Sequence, residues 1–138
     1  MPDQKSLMKR FYDEVFSAGN VDTVDELATE GLVDHEEGPP GTPSGREGVK
    51  AIVTMFREGF PDLKAEVAEQ VEEGDLAVTR ATFSGTHKGE FMGIPASGKS
   101  VSFDTIDIVR FDGDKVVEHW GVTDTMSLMQ QIGAIPAE

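Results

Sequence analysis

Val101-Ser102-Phe103-Asp104-Thr105-Ile106-Asp107-Ile108-Val109-Arg110-Phe111, then Asp112-Gly113-Asp114, then Lys115-Val116-Val117-Glu118-His119-Trp120-Gly121-Val122, is the stretch on which the reading of this chain turns. Two runs rich in β-branched and aromatic residues flank an Asp-Gly-Asp turn, which is the signature of an antiparallel hairpin. Strands are expected over 100–111 and 115–122. Asp107 sits between Ile106 and Ile108, so it points to the opposite face from them and shares its face with Phe103, Thr105, Val109 and Phe111. His119 and Trp120 are adjacent and therefore face opposite sides, with Trp120 on the side of Glu118 and Asp124. A bulge near Gly121 would break that parity.

Working upstream, period-two alternation continues. A strand is expected over 63–71, with Ala65, Val67, Glu69 and Val71 on one face, and another over 76–86, with Leu76, Val78, Arg80 and Thr82 together. Glu73-Gly74-Asp75 turns between them. Downstream, 125–132 reads as a closing helix, ended by Gly133 and Pro136. The first sixty or so residues have the other period. Leu7, Met8, Phe11, Tyr12, Val15 and Phe16 recur at helical spacing between an Asp3 N-cap and Gly19. Val21, Val24 and Leu27 mark a short second helix, and 31–35 is a short extended piece. Gly38-Pro39-Pro40-Gly41-Thr42-Pro43 is a loop. Ser44 and Glu47 have the spacing of a capping box ahead of the stripe Val49, Ile52, Val53, Phe56 and Phe60, which Pro61 ends.

Helices first and antiparallel strands after is the α+β pattern. A curved, mostly antiparallel sheet wrapped around three N-terminal helices, with a short C-terminal helix, makes a cone whose open end is a natural pocket. At 138 residues the chain is expected to be one domain spanning 1–138. Twenty-six acidic residues stand against 12 basic ones, a net charge of −14, which argues against nucleic acid and anionic membrane surfaces as partners. The chain has no cysteine, no apolar run approaching the roughly 20 residues of a membrane span, and no apolar signal core behind Met-Pro-Asp-Gln-Lys. A cytoplasmic protein is the default expectation. The three histidines are scattered without a metal-ligand spacing, so no metal is expected.

The stretch 80–89 (Arg-Ala-Thr-Phe-Ser-Gly-Thr-His-Lys-Gly), then Gly93-Ile94-Pro95-Ala96-Ser97-Gly98-Lys99, then 106–120, Asp124 and Gln130-Gln131-Ile132-Gly133 together resemble the SnoaL-like polyketide cyclase (ester cyclase) family. Their order and spacing carry the resemblance, and the helical first half and the His35 region fit it. It implies a cone-shaped fold of the nuclear-transport-factor-2 type and a cofactor-independent enzyme, commonly a homo-oligomer, with a small apolar polyketide-like ligand. It also implies a general acid/base for an intramolecular aldol ring closure at an Asp near the end of the last strand, the position of Asp124.

The candidate residues each carry a second reading. Asp124 is a proton-transfer group or the N-cap of the closing helix. His119, His35 and Asp107 are candidates for polarising a substrate carbonyl. His119 otherwise serves structure or an interface, and His35 a solvated loop. Asp107, an acid on an apolar face, needs either a pocket or an ion pair, for which Arg80 is the tempting partner. Tyr12, Arg80 and Trp120 are candidate substrate-binding residues, with core packing or structural pairing as the alternative. His87 is expected in a surface or turn role. Phe91, Met92 and Ile94, apolar residues on a hairpin loop, suggest a lid or an oligomer contact. Other cofactorless chemistry in the same pocket, such as isomerisation or epoxide hydration, and a small-ligand-binding module without turnover remain open beside the cyclase reading. A homodimer through one sheet face is expected.

Overall fold

The Asp3 carboxylate accepts a hydrogen bond of 2.7 Å from the Ser6 backbone N–H, and α1 (Gln4–Arg10) starts behind it. The computed structural model describes residues 3–36 and 38–136. α1 runs into a π-helical segment, Phe11–Ser17, where one regular helix was expected. The Ala18 N–H there reaches five residues back, to the Asp13 carbonyl at 3.1 Å. This wider turn shifts side chains off the 3.6-residue stripe. It lets Phe11, Tyr12 and Phe16 face one interior space while Val15 goes fully into the core. Gly19, in the left-handed region at φ 76, ends the segment.

Arg57 fixes where that helix stops. Its guanidinium donates to the Phe16 and Ser17 carbonyls at 2.7 and 3.0 Å, and to those of Leu63 and Pro61 at 3.3 and 3.2 Å. One cation thus satisfies the free carbonyls of a helix end and of the turn into β2.

A 3₁₀ turn (Val21–Thr23) and α2 (Val24–Leu27) lead into β1 (Ala28–Asp34), three residues longer at its start than the sequence suggests. α3 (Gly45–Gly59) begins after Ser44, which has the extended backbone of an N-cap. The capping box does not form, however: the Ser44 side chain makes no capping hydrogen bond, and Glu47 pairs with Lys50 at 3.1 Å instead. The start of α3 lies so close to β1 that a Cβ at Gly45 would stand 2.3 Å from the Glu30 carbonyl oxygen.

The remaining strands are β2 (Lys64–Glu73), β3 (Leu76–Thr86), β4 (Ser100–Asp112) and β5 (Lys115–Thr123), followed by α4 (Thr125–Gln131). The sheet is mixed and open, in the order β1-β5-β4-β3-β2. β1 lies parallel to β5, and all other neighbours are antiparallel. In register, Asp107 is opposite Gly121, Thr105 opposite Thr123, and Asp34 beside His119. Bulges interrupt β2 between Val67 and Glu69, and the β4–β5 ladder beside Arg110 and Phe111. Pairing stays regular through Gly121, so the parity of His119 and Trp120 holds.

The inner face of the sheet carries Ala77, Ala81, Phe83, Phe103, Val109, Phe111 and Val116, all buried against Met8, Val15, Leu27, Val53 and Phe60. Its outer face carries Arg80, Ile106, Trp120 and Val122. Among the described residues no helix is long and apolar enough to cross a membrane.

Candidate active site

The helices do not fill the space over β4 and β5, and a cavity of about 340 Å³ remains. Its walls are apolar: Phe11 and Phe16 from the π-helical segment, Met55 and Phe56 from α3, Phe83, Phe103 and Val109 from the sheet. One cluster of polar side chains breaks this lining, formed by Tyr12, Asp34, Glu36, Asp107, His119 and Thr123.

Strand order builds the cluster. β5 lies between β1 and β4, so His119 lies between an acid on each side. Its Nδ1–H donates to Asp34 Oδ1 at 2.8 Å and its Nε2–H to Asp107 Oδ1 at 2.9 Å. The other Asp107 oxygen accepts from the Tyr12 hydroxyl at 2.5 Å and from Thr105 at 3.4 Å. Thr123 donates to Glu36 Oε2 at 3.0 Å. Among the described residues Glu36 Oε1 accepts no hydrogen bond, and it faces the cavity group. Gly121 makes the arrangement possible. A Cβ there would stand 2.6 Å from Asp107 Oδ1 and Glu36 Oε1, and 2.9 Å from His119 Nε2.

The electrostatics follow from this crowding. Burial works against charge on His119, but the hydrogen bonds and charges of Asp107 and Asp34 outweigh it and lift its pKa from 6.5 to about 10. The ring is an imidazolium at neutral pH. Burial and the nearby Asp107 charge raise the Glu36 pKa, against the smaller opposing pull of His119 and Thr123. Burial, then the charge and hydrogen bond of Asp107, push the Tyr12 hydroxyl well above the usual tyrosine range, so it stays a donor.

Glu36, Asp107 and His119 also offer ligand-type atoms within 4.8 Å of one another. A metal would have to displace the proton on His119 Nε2, which this site holds up to about pH 10. In this structure the three side chains form a hydrogen-bonded cluster, with His119 Nε2 engaged by Asp107 Oδ1.

Of the residues singled out from the sequence, Tyr12, Asp107 and His119 are brought together here. Asp124, Trp120, His35 and Arg80 are placed elsewhere. Asp124 is exposed outside the cavity, and its carboxylate caps α4 by accepting from the Ser127 N–H at 3.2 Å. Trp120 points to the outer face by strand parity. His35 stacks on it at 4.9 Å and bonds to Glu118 at 2.8 Å. Arg80 is opposite Ile106 on the outer face and pairs with Glu69 at 2.6 Å, so it cannot reach Asp107. His87, expected at the surface, is fully buried beside Phe60, and its Nδ1 accepts from the Ser97 N–H at 3.1 Å.

Asp34 and Glu36 were missed. Alternation along Leu32, Val33, Asp34 and His35 already places Asp34 on the face of buried Leu32 and opposite His35. What no local pattern could give is the parallel pairing of β1 with β5.

An open cone of sheet over helices, with an apolar cavity and a half-buried acid–imidazolium cluster at its wall, is the nuclear-transport-factor-2-like fold. Residues 6–132 match the family described as SnoaL-like polyketide cyclase, and the chain belongs to that family. It is 26% identical over 139 residues to the aklanonic acid methyl ester cyclase DnrD of Streptomyces peucetius, covering 96% of this chain and 92% of that protein. Among solved structures it is similar to TsrD from Streptomyces laurentii (TM-score 0.86, 30% identity, 98% of this chain and 100% of that one). It is also similar to IdmH from Streptomyces antibioticus (TM-score 0.81, 33% identity, 95% and 99%).

Two measurements check this geometry. A folded pKa of about 10 above an unfolded 6.5 means that the stability His119 contributes is complete below pH 6.5 and lost as pH rises towards 10. The melting temperature should therefore fall across that window, and a His119→Gln variant should lose this component of the pH dependence. Gly121→Ala should keep the fold by circular dichroism yet move the His119 titration, followed by NMR, back towards 6.5, because the new methyl separates the ring from Asp107.

Proposed function

We propose that this chain is a cyclase-type acid–base catalyst acting on a small, apolar, multiply oxygenated substrate, with Glu36 as the group that takes and returns the proton. The observation that carries the reading is the state of Glu36. Among the described residues one of its oxygens accepts no hydrogen bond, burial and the Asp107 charge raise its pKa above the ordinary glutamate value, and a fixed imidazolium lies nearby. In the reaction, a C–H flanked by carbonyls gives its proton to the Glu36 carboxylate. The enolate charge develops near the His119 cation, whose position Asp34 and Asp107 hold. The enolate carbon then attacks a second carbonyl of the same molecule, and the new alkoxide takes the proton back from Glu36. The apolar walls hold the folded conformer in which the two carbons meet. Asp107 and Tyr12 act as positioning groups. No organic cofactor is required, because such a C–H is already acidic. The curated relative's substrate, aklanonic acid methyl ester, is the natural first compound to try.

The outer sheet face supports a homodimer. Val122 and Ile106 are opposite each other there, 72% and 48% exposed. The same face carries the ion pairs Arg80–Glu69 and Arg110–Glu118, so an apolar patch with a polar border is available to a second copy.

Incubation with aklanonic acid methyl ester in D₂O, followed by chromatography and mass spectrometry, should show ring closure or solvent deuterium entering the carbon between carbonyls. Glu36→Gln should slow it by about 100-fold or more while leaving the fold intact. Asp124→Ala should keep the rate and lose roughly 3–5 °C of melting temperature as α4 loses its cap. Full activity in Glu36→Gln would remove that residue from the chemistry. For the dimer, light scattering should give twice the 14.9 kDa chain mass, and Val122→Lys should return it to one.

A further inference from the structure

The loop between β3 and β4 is pinned at its base and strained at its tip. The Lys88 and Gly89 N–H groups both donate to the Gly59 carbonyl at 3.1 Å. The His87 N–H bonds to Lys99 O at 2.9 Å, and the Gly98 N–H to His87 O at 2.8 Å. Phe91 is buried, with its ring 5.1 Å from both Phe56 and Phe60. It lies so close to α3 that a Cβ at Gly59 would stand 2.8 Å from its own Cβ. Beyond Phe91 the chain reverses through Met92 and Gly93, and paired backbone hydrogen bonds of 3.0 and 2.9 Å join Phe91 to Ile94.

Both turn residues have positive φ, 50 for Met92 and 79 for Gly93, as in a type I′ hairpin turn. Asn, Asp and Gly adopt that conformation readily, and an aliphatic side chain at its first position is disfavoured. Among the described residues Met92 is the one non-glycine with positive φ. Its side chain gains no compensating burial, since it is half exposed. Yet it lines the cavity, at the rim beside Phe91. The frame below it is tight, so slack cannot account for the conformation. A polar turn residue would relieve the strain and the exposure together. What methionine supplies at this point, and a polar turn residue or glycine does not, is an adaptable apolar arm at the cavity opening.

We propose that Met92 is a specificity-determining residue of this pocket. Its thioether arm lies against the outer edge of a planar, apolar ligand and covers it from water, and binding is what repays the disfavoured turn. The inference rests on the reading of the cavity as an apolar-ligand site, and goes beyond it by naming the residue that measures ligand length at the mouth.

The test uses the whole chain and the neutral fluorescent naphthyl ketone prodan, so that it does not depend on turnover. Met92→Asn and Met92→Gly should raise the melting temperature by about 3 °C, because they relax the turn. The same variants should weaken prodan binding roughly 5- to 10-fold, through loss of apolar contact. Met92→Leu, which keeps an apolar arm, should bind within about 2-fold of the parent. Asn and Gly variants that bind prodan as the parent does would overturn the proposal, as would a Leu variant as weak as they are. A lower melting temperature in both would show that the turn is not strained, and would overturn it too. A parent chain that takes up no prodan would sink the apolar-cavity reading itself, which separates the two failures.

Discussion

One line of hydrogen bonds crosses the open end of this fold: Asp34 on β1, His119 on β5, Asp107 on β4 and Tyr12 on the helix that covers them. Carboxylates in an apolar cavity are costly unless each finds a partner. Here the two aspartates share one imidazolium, each taking a different N–H of the ring, and the shared cation is what allows both to stay. The same line fixes the relative positions of three strands and a helix, so the order of the sheet and the floor of the cavity are one constraint. It also sets the environment of Glu36. That residue lies beside the line without belonging to it, with one oxygen held by Thr123 and the other accepting no hydrogen bond among the described residues.

The cavity is an interior the chain declines to fill. Phe16, Phe83, Phe103 and Phe56 close on one another in turn, with successive ring centroids 4.9, 5.5 and 6.0 Å apart, and this continuous aromatic wall lines the cavity together with Phe11. Small residues and local strain gather at the same place. Gly121 leaves room where any side chain would collide with three polar groups, and Met92 keeps a turn conformation unsuited to it. Departures from the best local choice that cluster around one space are what a ligand site requires, because a well-packed core has no need of them.

Much of this was legible in residue order. Alternation gave the β3, β4 and β5 strands closely, and it put Asp107 on the apolar face of β4 and His119 and Trp120 on opposite faces of β5, since side-chain direction in a strand is a local property, but it left open which of the two enters the pocket. Helical spacing gave α1 and α3, though not the π-helical turn, which depends on how Phe11 and Phe16 pack and on Arg57 gathering carbonyls from two distant segments. Ser44 marks the start of α3 by its extended backbone without a capping hydrogen bond, and the Glu47 carboxylate that would return the box pairs with Lys50.

By itself, the sequence determined the elements, their inner and outer faces, the family and the short list of titratable residues near the last strands. These follow from periods of 2 and 3.6 and from turn chemistry, all of which act over a few residues. Only the tertiary structure decided which of those residues meet. Asp34 reaches His119 because β1 joins the sheet in parallel beside β5, some 85 positions away in the chain. Asp124 falls outside the cavity because the chain leaves the sheet there and the carboxylate satisfies the first turn of α4. His87 is buried because the loop closes over it. Contacts of that range are set by packing and strand order, which no local pattern encodes.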